Sequence, residues 1–186
     1  MLSHRKSLDI LRKTNALLEG HFVLSSGLHS SKYIQCAKLL SFPKKAEIIC
    51  KSLAKKIKKD FKKIDLILAP ATGGIIIGYE IGRLLNKETI FCERVKGKFK
   101  LRRGFNIRKG YKVLIVEDVI TTGKSSMECE KLVKKSKASI VGFASIVDRS
   151  TKKTLKIKKK IVSHLKINVP TFKLNNLPKE LKSIPI

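Results

Sequence analysis

The sequence has only four cysteines, at positions 36, 50, 92 and 129, and no two share a Cys-x-x-Cys spacing. Neither a zinc site nor a disulfide framework is supported, and reduced thiols inside a fold are expected, with Cys92 in a core strand. No run of eighteen apolar residues occurs, so no membrane-spanning helix is expected. The stretch MLSHRKSLDILRKTNALLEG lacks the apolar centre and small-residue cleavage site of a secretory signal, which makes a cytoplasmic location the expectation. It reads instead as an amphipathic helix, with Leu8, Leu11, Leu17 and Leu18 at helical spacing. Acids are scarce: 14 Asp and Glu face 42 Lys and Arg, a formal net charge of +28. Arginine is scarce as well, at eight positions, so the basic excess is lysine scattered along the chain. Such a field attracts polyanions. Runs such as KSLAKKIKKDFKK nevertheless fit the wet face of a helix. The densest patch, STKKTLKIKKK, is read the same way, with nucleic acid bound at most non-specifically.

What is present is enough for a core: 186 residues, 42% of them hydrophobic, suit one domain. PKKAEIICKSLAKKIKKDF reads as a helix with Pro43 near its start. IDLILAP is a buried strand ended by Pro70, and ATGGIIIGYEIGRLLN a loop opening into a helix. ETIFCER, YKVLIVE and ASIVGFASIVD are further strands, and TGKSSMECEKLVKKSK a helix. The alternation predicts an α/β fold with a mostly parallel sheet flanked by helices. VKGKFKLRRGFNIRKG is polar and glycine-punctuated, a loop with at most a weak hairpin. HFVLSSGLHSSKYIQC reads as two short strands around a Ser-Gly turn, outside the alternation and placed to cap the sheet edge. The tail TFKLNNLPKELKSIPI carries no readable functional motif.

The chemistry concentrates in VLIVEDVITTGKS, residues 113–125. In an open α/β sheet, ligands bind beyond the carboxyl ends of the strands. Here a strand ends and a helix begins, and the free N–H groups of a helix start form an anion site. Thr121, Thr122 and Ser125 add hydroxyls, and Gly123 permits close backbone approach. That half suits a phosphate. Glu117 and Asp118 would repel one and instead suit the vicinal hydroxyls of a ribose, so a ribose 5′-phosphate satisfies both halves. A Walker A loop would need glycine where Asp118 stands, and no Gly-x-Gly-x-x-Gly opens a helix.

This stretch resembles the ribose-phosphate signature of the type I phosphoribosyltransferases: apolar strand, two acids, two apolar residues, Thr-Thr-Gly. FVLSSGLHSSKYIQCAKLL resembles the N-terminal substrate hood of the orotate phosphoribosyltransferases, APATGGIIIGYEIGRLL their pyrophosphate loop and following helix, and FCERVKGKFKLRRGF their mobile catalytic loop in the shorter form of one bacterial branch. The resemblance covers roughly residues 20–150, in order. It implies a single phosphoribosyltransferase domain over 1–186, with hood elements from about 1–40 and the C-terminal segment. It implies transfer of phosphoribose from phosphoribosyl pyrophosphate to N1 of orotate, with Mg²⁺ held mainly by substrate and water rather than directly by the protein. Glu117, Asp118, Val119, Ile120, Thr121, Thr122, Gly123, Lys124 and Ser125 would bind the phosphoribosyl moiety. Thr121 and Arg149 would hold orotate, and Thr72 and Gly73 the pyrophosphate.

Arg94, Lys96, Lys98, Arg102 and Arg103 would neutralise charge on the leaving pyrophosphate from a loop mobile until it arrives. With Asp118, the first four of these are the catalytic candidates. The longer-loop branch has a histidine in this loop, an aromatic and a lysine in place of Thr72 and Gly73, and a hood lysine in place of Ser25. A homodimer in which each subunit lends its loop to its neighbour is implied by the same resemblance. His29 is a candidate to approach substrate, while His4, His21 and His164 are expected to be surface or structural residues. Two other classes stay open: a transferase for another base, and a non-enzymatic regulator that binds RNA on the same fold. The hood argues against the first and the loop cations against the second.

Overall fold

In the computed structural model, which describes residues 2–24, 26–152 and 154–184, α1 (His4–Lys13) starts behind Ser3, whose hydroxyl accepts from the Lys6 N–H. Ser25 lies outside the described residues. The leucine spacing predicted a longer helix. It ends at Thr14, because Asn15 takes a left-handed φ of 54°, and Leu17 and Leu18 fall in β1 (Leu17–Val23). β1 pairs antiparallel with β2 (His29–Ile34), as the Ser-Gly turn suggested.

The α/β alternation follows. α2 (Cys36–Leu40) leads into α3 (Pro43–Asp60), with proline in its first turn, where no N–H is needed. Then come β3 (Leu66–Pro70), α4 (Gly74–Leu85), β4 (Glu88–Val95), β5 (Lys98–Leu101), β6 (Lys112–Ile120), α5 (Lys124–Lys135) and β7 (Ser139–Asp148). β8 (Ile161–Lys166), β9 (Thr171–Phe172) and α6 (Lys179–Lys182) complete the order. The main sheet runs β5-β4-β3-β6-β7-β8, and every pairing is parallel except β4–β5. β3 is buried along its whole length, as expected for a strand covered on both faces. Alternate residues of β6 serve different cores. Leu114 and Val116 pack with α1, α3 and α4, while Val113 and Ile115 pack with α5.

Two readings change. The basic segment after β4 is an antiparallel hairpin, paired from Cys92↔Leu101 to Val95↔Lys98. Lys96 and Gly97 both have positive φ, 49° and 75°, the geometry a two-residue hairpin turn needs. Phe99 is buried and holds the hairpin to the core, which its polar neighbours masked in the sequence. IVSHLK forms β8, a strand not expected. The small sheet also takes a third strand from the tail: β9 pairs with β2 at His29↔Phe172 and Ser30↔Thr171.

Candidate active site

Strand order positions the site. From β3 the chain crosses through α4 to β4 on one side, and from β6 through α5 to β7 on the other. The carboxyl ends of β3 and β6 therefore flank a point where the winding reverses, which is where an open α/β sheet opens a crevice. Thr72 and Gly73 follow β3, Glu117–Ser125 close β6 and open α5, and Arg149 follows β7.

The Thr72–Gly73 loop reaches the acids because α4 lies close on the sheet. A side-chain carbon on Gly78 would sit 2.7 Å from the Ala69 Cβ. One on Gly73 would sit 2.8 Å from Asp118 Oδ2, so a side chain there would have to push that carboxylate aside.

Glu117 and Asp118 are adjacent on a strand and so face opposite sides of the sheet. Glu117 points to the α5 side, is 8% exposed, and accepts from the Ser126 hydroxyl. Burial pushes its carboxyl up to about 7, the nearby Asp118 charge adds to that, and the Ser126 hydroxyl and Arg94 pull the other way. Asp118 is half-buried on the α4 side. Its Oδ1 accepts from the Val119 N–H at 2.9 Å, and burial raises its pKa as well. Beneath it, the buried Cys36 thiol donates to the Asp118 carbonyl at 3.8 Å.

The turn beyond is open on its polar side. Thr121, Thr122 and Lys124 are exposed, Ser125 is partly so, and Gly123 holds a φ of 74° at the start of α5. Ile120 is a core residue at 1% exposure, and Val119 packs on the other core, so both can serve a ligand only through backbone groups. Parallel pairing sets Ile120 against Asp148, which brings Thr121 and Arg149 side by side. Arg149 is fixed at its base: its N–H donates to the Ile120 carbonyl at 2.9 Å, and Asp148 Oδ1 accepts from the Ser150 N–H at 2.8 Å. Partial burial lowers the Arg149 pKa, and among the described residues its guanidinium has no ion pair.

The hairpin cations divide into two sets. Arg94 pairs with Glu128 of α5 at 2.8 Å and stacks 4.1 Å from the Phe99 ring centre. Arg103 pairs with Glu93 at 2.9 Å, with Arg102 at 4.0 Å from the same acid. Lys96 and Lys98 are exposed at the turn. The acids Glu93 and Glu128 answer the mutual repulsion that motivated a loose loop. Ser126 and Glu128 escaped the sequence reading because nothing in their spacing marks a partner across the fold.

His29 is not at the site. It is buried in the small sheet, its Nδ1 2.7 Å from His21 Nε2. His164 is buried too, hydrogen-bonded to the Ser7 hydroxyl at 2.7 Å, and His4 is exposed. Cys92 is core, 3.4 Å from the Cys129 sulfur.

Residues 41–183 match the phosphoribosyl transferase domain. The orotate phosphoribosyltransferase of Caldicellulosiruptor saccharolyticus is 47% identical over 179 residues, 96% of this chain and 92% of that protein. The crystal structure of orotate phosphoribosyltransferase from Aeropyrum pernix superposes with a TM-score of 0.72 at 25% identity, over 86% of this chain and 92% of that one. An adenine phosphoribosyltransferase structure follows at a TM-score of 0.67 and 16% identity, over 84% of this chain and 99% of that one. The fold is thus shared by enzymes named for different bases, and fold alone does not choose the base.

Proposed function

The chain belongs to the phosphoribosyl transferase family, and on that premise we propose that it transfers phosphoribose from phosphoribosyl pyrophosphate to orotate, yielding orotidine 5′-phosphate and pyrophosphate for pyrimidine synthesis. The observation that carries the choice of base is the register of β6 on β7, which sets Arg149 beside Thr121 at the lip of the phosphate turn. A planar guanidinium is the side chain best matched to the orotate carboxylate.

In this reading the N–H groups and hydroxyls of 121–125 bind the 5′-phosphate. Asp118 accepts from the ribose hydroxyls, Glu117 supports the strand end from the opposite face of β6 against Ser126, and the Thr72–Gly73 loop receives the pyrophosphate. The bond from N1 of orotate to C1′ forms as the C1′–oxygen bond to pyrophosphate breaks. Negative charge then grows on the leaving group, where Arg94, Lys96, Lys98 and Arg102 stabilise it. Two of these cations must exchange Glu93 or Glu128 for phosphate oxygens to do so.

Among the described residues no group of three or more His, Cys, Asp or Glu converges as a metal cage. The oxygen donors at the turn are the half-buried Asp118 carboxylate and the threonine hydroxyls, which fits Mg²⁺ arriving on substrate oxygens, with Asp118 the residue placed to meet its water shell. The ion would neutralise pyrophosphate charge. The same reading takes 1–186 as one domain with the small sheet as its hood, places it in the cytoplasm, and pairs two copies that share hairpins between sites. No helix among the described residues is long and apolar enough to cross a membrane.

The test is an assay with phosphoribosyl pyrophosphate, Mg²⁺ and each base in turn. Loss of orotate with release of pyrophosphate is expected. Turnover of adenine or hypoxanthine with none of orotate would move the protein to another base. RNA binding with no turnover at all would favour a regulator.

Arg149→Ala should raise the KM for orotate roughly ten- to hundredfold, the value of a charge-assisted hydrogen bond. The KM for phosphoribosyl pyrophosphate should stay within about threefold, since Arg149 faces only the base. Equal loss for both substrates would remove the assignment.

A further inference from the structure

We propose that the lysine-rich connector between β7 and β8 is a strap that orients the phosphate-binding turn, with Lys156 and Ile157 as positioning residues. This rests on the sugar-phosphate reading of residues 121–125. The connector was conspicuous in sequence only for its charge, yet among its described residues a main-chain hydrogen bond and an apolar side chain meet the turn.

The Lys156 N–H donates to the Thr122 carbonyl at 3.1 Å. The peptide joining Thr122 to Gly123 is trans. In a planar trans peptide the C=O and the next N–H point in opposite directions. Holding the Thr122 oxygen toward the strap therefore turns the Gly123 N–H away from the strap. If this peptide plane turned over, a carbonyl oxygen would replace the N–H on that side, and an anion would meet a lone pair instead of a donor.

The second contact fixes the glycine. Gly123 holds a φ of 74°, and a Cβ there would lie 2.6 Å from both Cδ1 and Cγ1 of Ile157. Ile157 thus fills the space beside the glycine Cα, while only 9% exposed and packed in the same cluster as Ile120 and Cys129. The strap is itself braced. The Leu155 N–H donates to the Thr151 carbonyl at 3.0 Å, the Thr154 N–H to the Thr151 hydroxyl at 3.2 Å, and Leu155 packs on that cluster. A turn with a positive φ at its centre has competing backbone states, and two contacts from one connector select between them.

The experiment is calorimetric titration of ribose 5-phosphate into wild type, Ile157→Ala, Ile157→Val, Lys156→Pro and Lys158→Ala, with a thermal melt of each. Lys156→Pro removes the N–H donor, and Lys158→Ala removes one strap charge but neither contact. Ile157→Ala and Lys156→Pro should each weaken binding about tenfold, the loss that follows when one hydrogen bond or its geometry goes. Ile157→Val should recover to within about threefold of wild type, because most of the contact with Gly123 returns. Lys158→Ala should stay within about twofold, as expected of one exposed charge. In turnover, the KM for phosphoribosyl pyrophosphate should rise in the first two variants while that for orotate holds.

Wild-type affinity in both Ile157→Ala and Lys156→Pro overturns the strap. So does a uniform fall in kcat with ribose 5-phosphate binding unchanged. Should Ile157→Ala not fold, Lys156→Pro decides by the same criterion. If Lys156→Pro also unfolds, Ile157→Leu decides, since it keeps the volume but moves the branch away from Gly123: binding ribose 5-phosphate more weakly than both Ile157→Val and Lys158→Ala supports the strap, and binding equal to theirs overturns it. A wild-type protein that does not bind ribose 5-phosphate is a separate outcome: the sugar-phosphate reading of the turn then falls, and the strap's role with it.

Discussion

Asp118→Asn should lower kcat/KM for phosphoribosyl pyrophosphate roughly ten- to hundredfold, the range of a charge-assisted hydrogen bond, while the fold survives. Of the two neighbouring acids, Asp118 is the one that stands between the pyrophosphate loop and the phosphate turn. The Gly73 backbone passes so near its Oδ2 that a side chain at position 73 would displace the carboxylate. Asparagine keeps the volume, and its carbonyl can still accept from the Val119 N–H, now bonded at 2.9 Å to Oδ1. It replaces the second acceptor with a donor, facing ribose hydroxyls that need somewhere to donate. A half-buried carboxylate without a cation partner is also costly, so the apo variant should melt no lower than wild type. Steady-state kinetics with a melting curve check both halves. A folded Asp118→Asn protein with wild-type kcat/KM would show that the ribose does not lean on this acid.

Most of this site was legible because its parts lie within single stretches. The strand, the two acids, the hydroxyls and Gly123 are contiguous, and their chemistry follows from a strand end meeting a helix start. Arg149 could be placed because a buried strand ends just before it. What was not legible comes from contacts across the chain. Strand alternation turns Glu117 away from Asp118, but its burial against α5 shows only in the packed fold, and its partner Ser126 is one of several serines until α5 is docked. The hairpin looked like a loose loop because Phe99, the buried residue of its returning strand, stands among lysines and its acids, Glu93 and Glu128, lie on β4 and α5. β8 was hidden behind the lysine run that precedes it, and its own IVSHLK is too short to set a period. His29 sat in a plausible place for substrate, but a strand residue alternates sides, and its side chain faces inward to His21.

Glu117→Gln should flatten a pH dependence of stability that wild type shows between about pH 5 and pH 8. The Glu117 carboxyl is 8% exposed, and its pKa is raised from 4.5 to about 7, burial being the main cause. The direction follows from proton counting. Between these two values the folded protein keeps a proton that the unfolded chain has released, so unfolding releases a proton and becomes easier as pH rises. The contribution is full below the unfolded pKa and is lost as pH climbs through the folded one. A shift of this size corresponds to about 3 kcal/mol. Glutamine keeps an oxygen to accept from the Ser126 hydroxyl and carries no charge at any pH, so the variant should be the more stable protein at pH 8 and nearly equal to wild type at pH 5. The many lysines do not confuse the comparison, because they titrate alike in both proteins. Urea unfolding at pH 5 and pH 8 measures the difference. The gap between variant and wild type should open by about 2.5 kcal/mol over that interval. Parallel stabilities at the two pH values would mean that Glu117 is ionised in the folded protein at pH 5 already, and that its carboxylate reaches water or a cation rather than lying closed against α5.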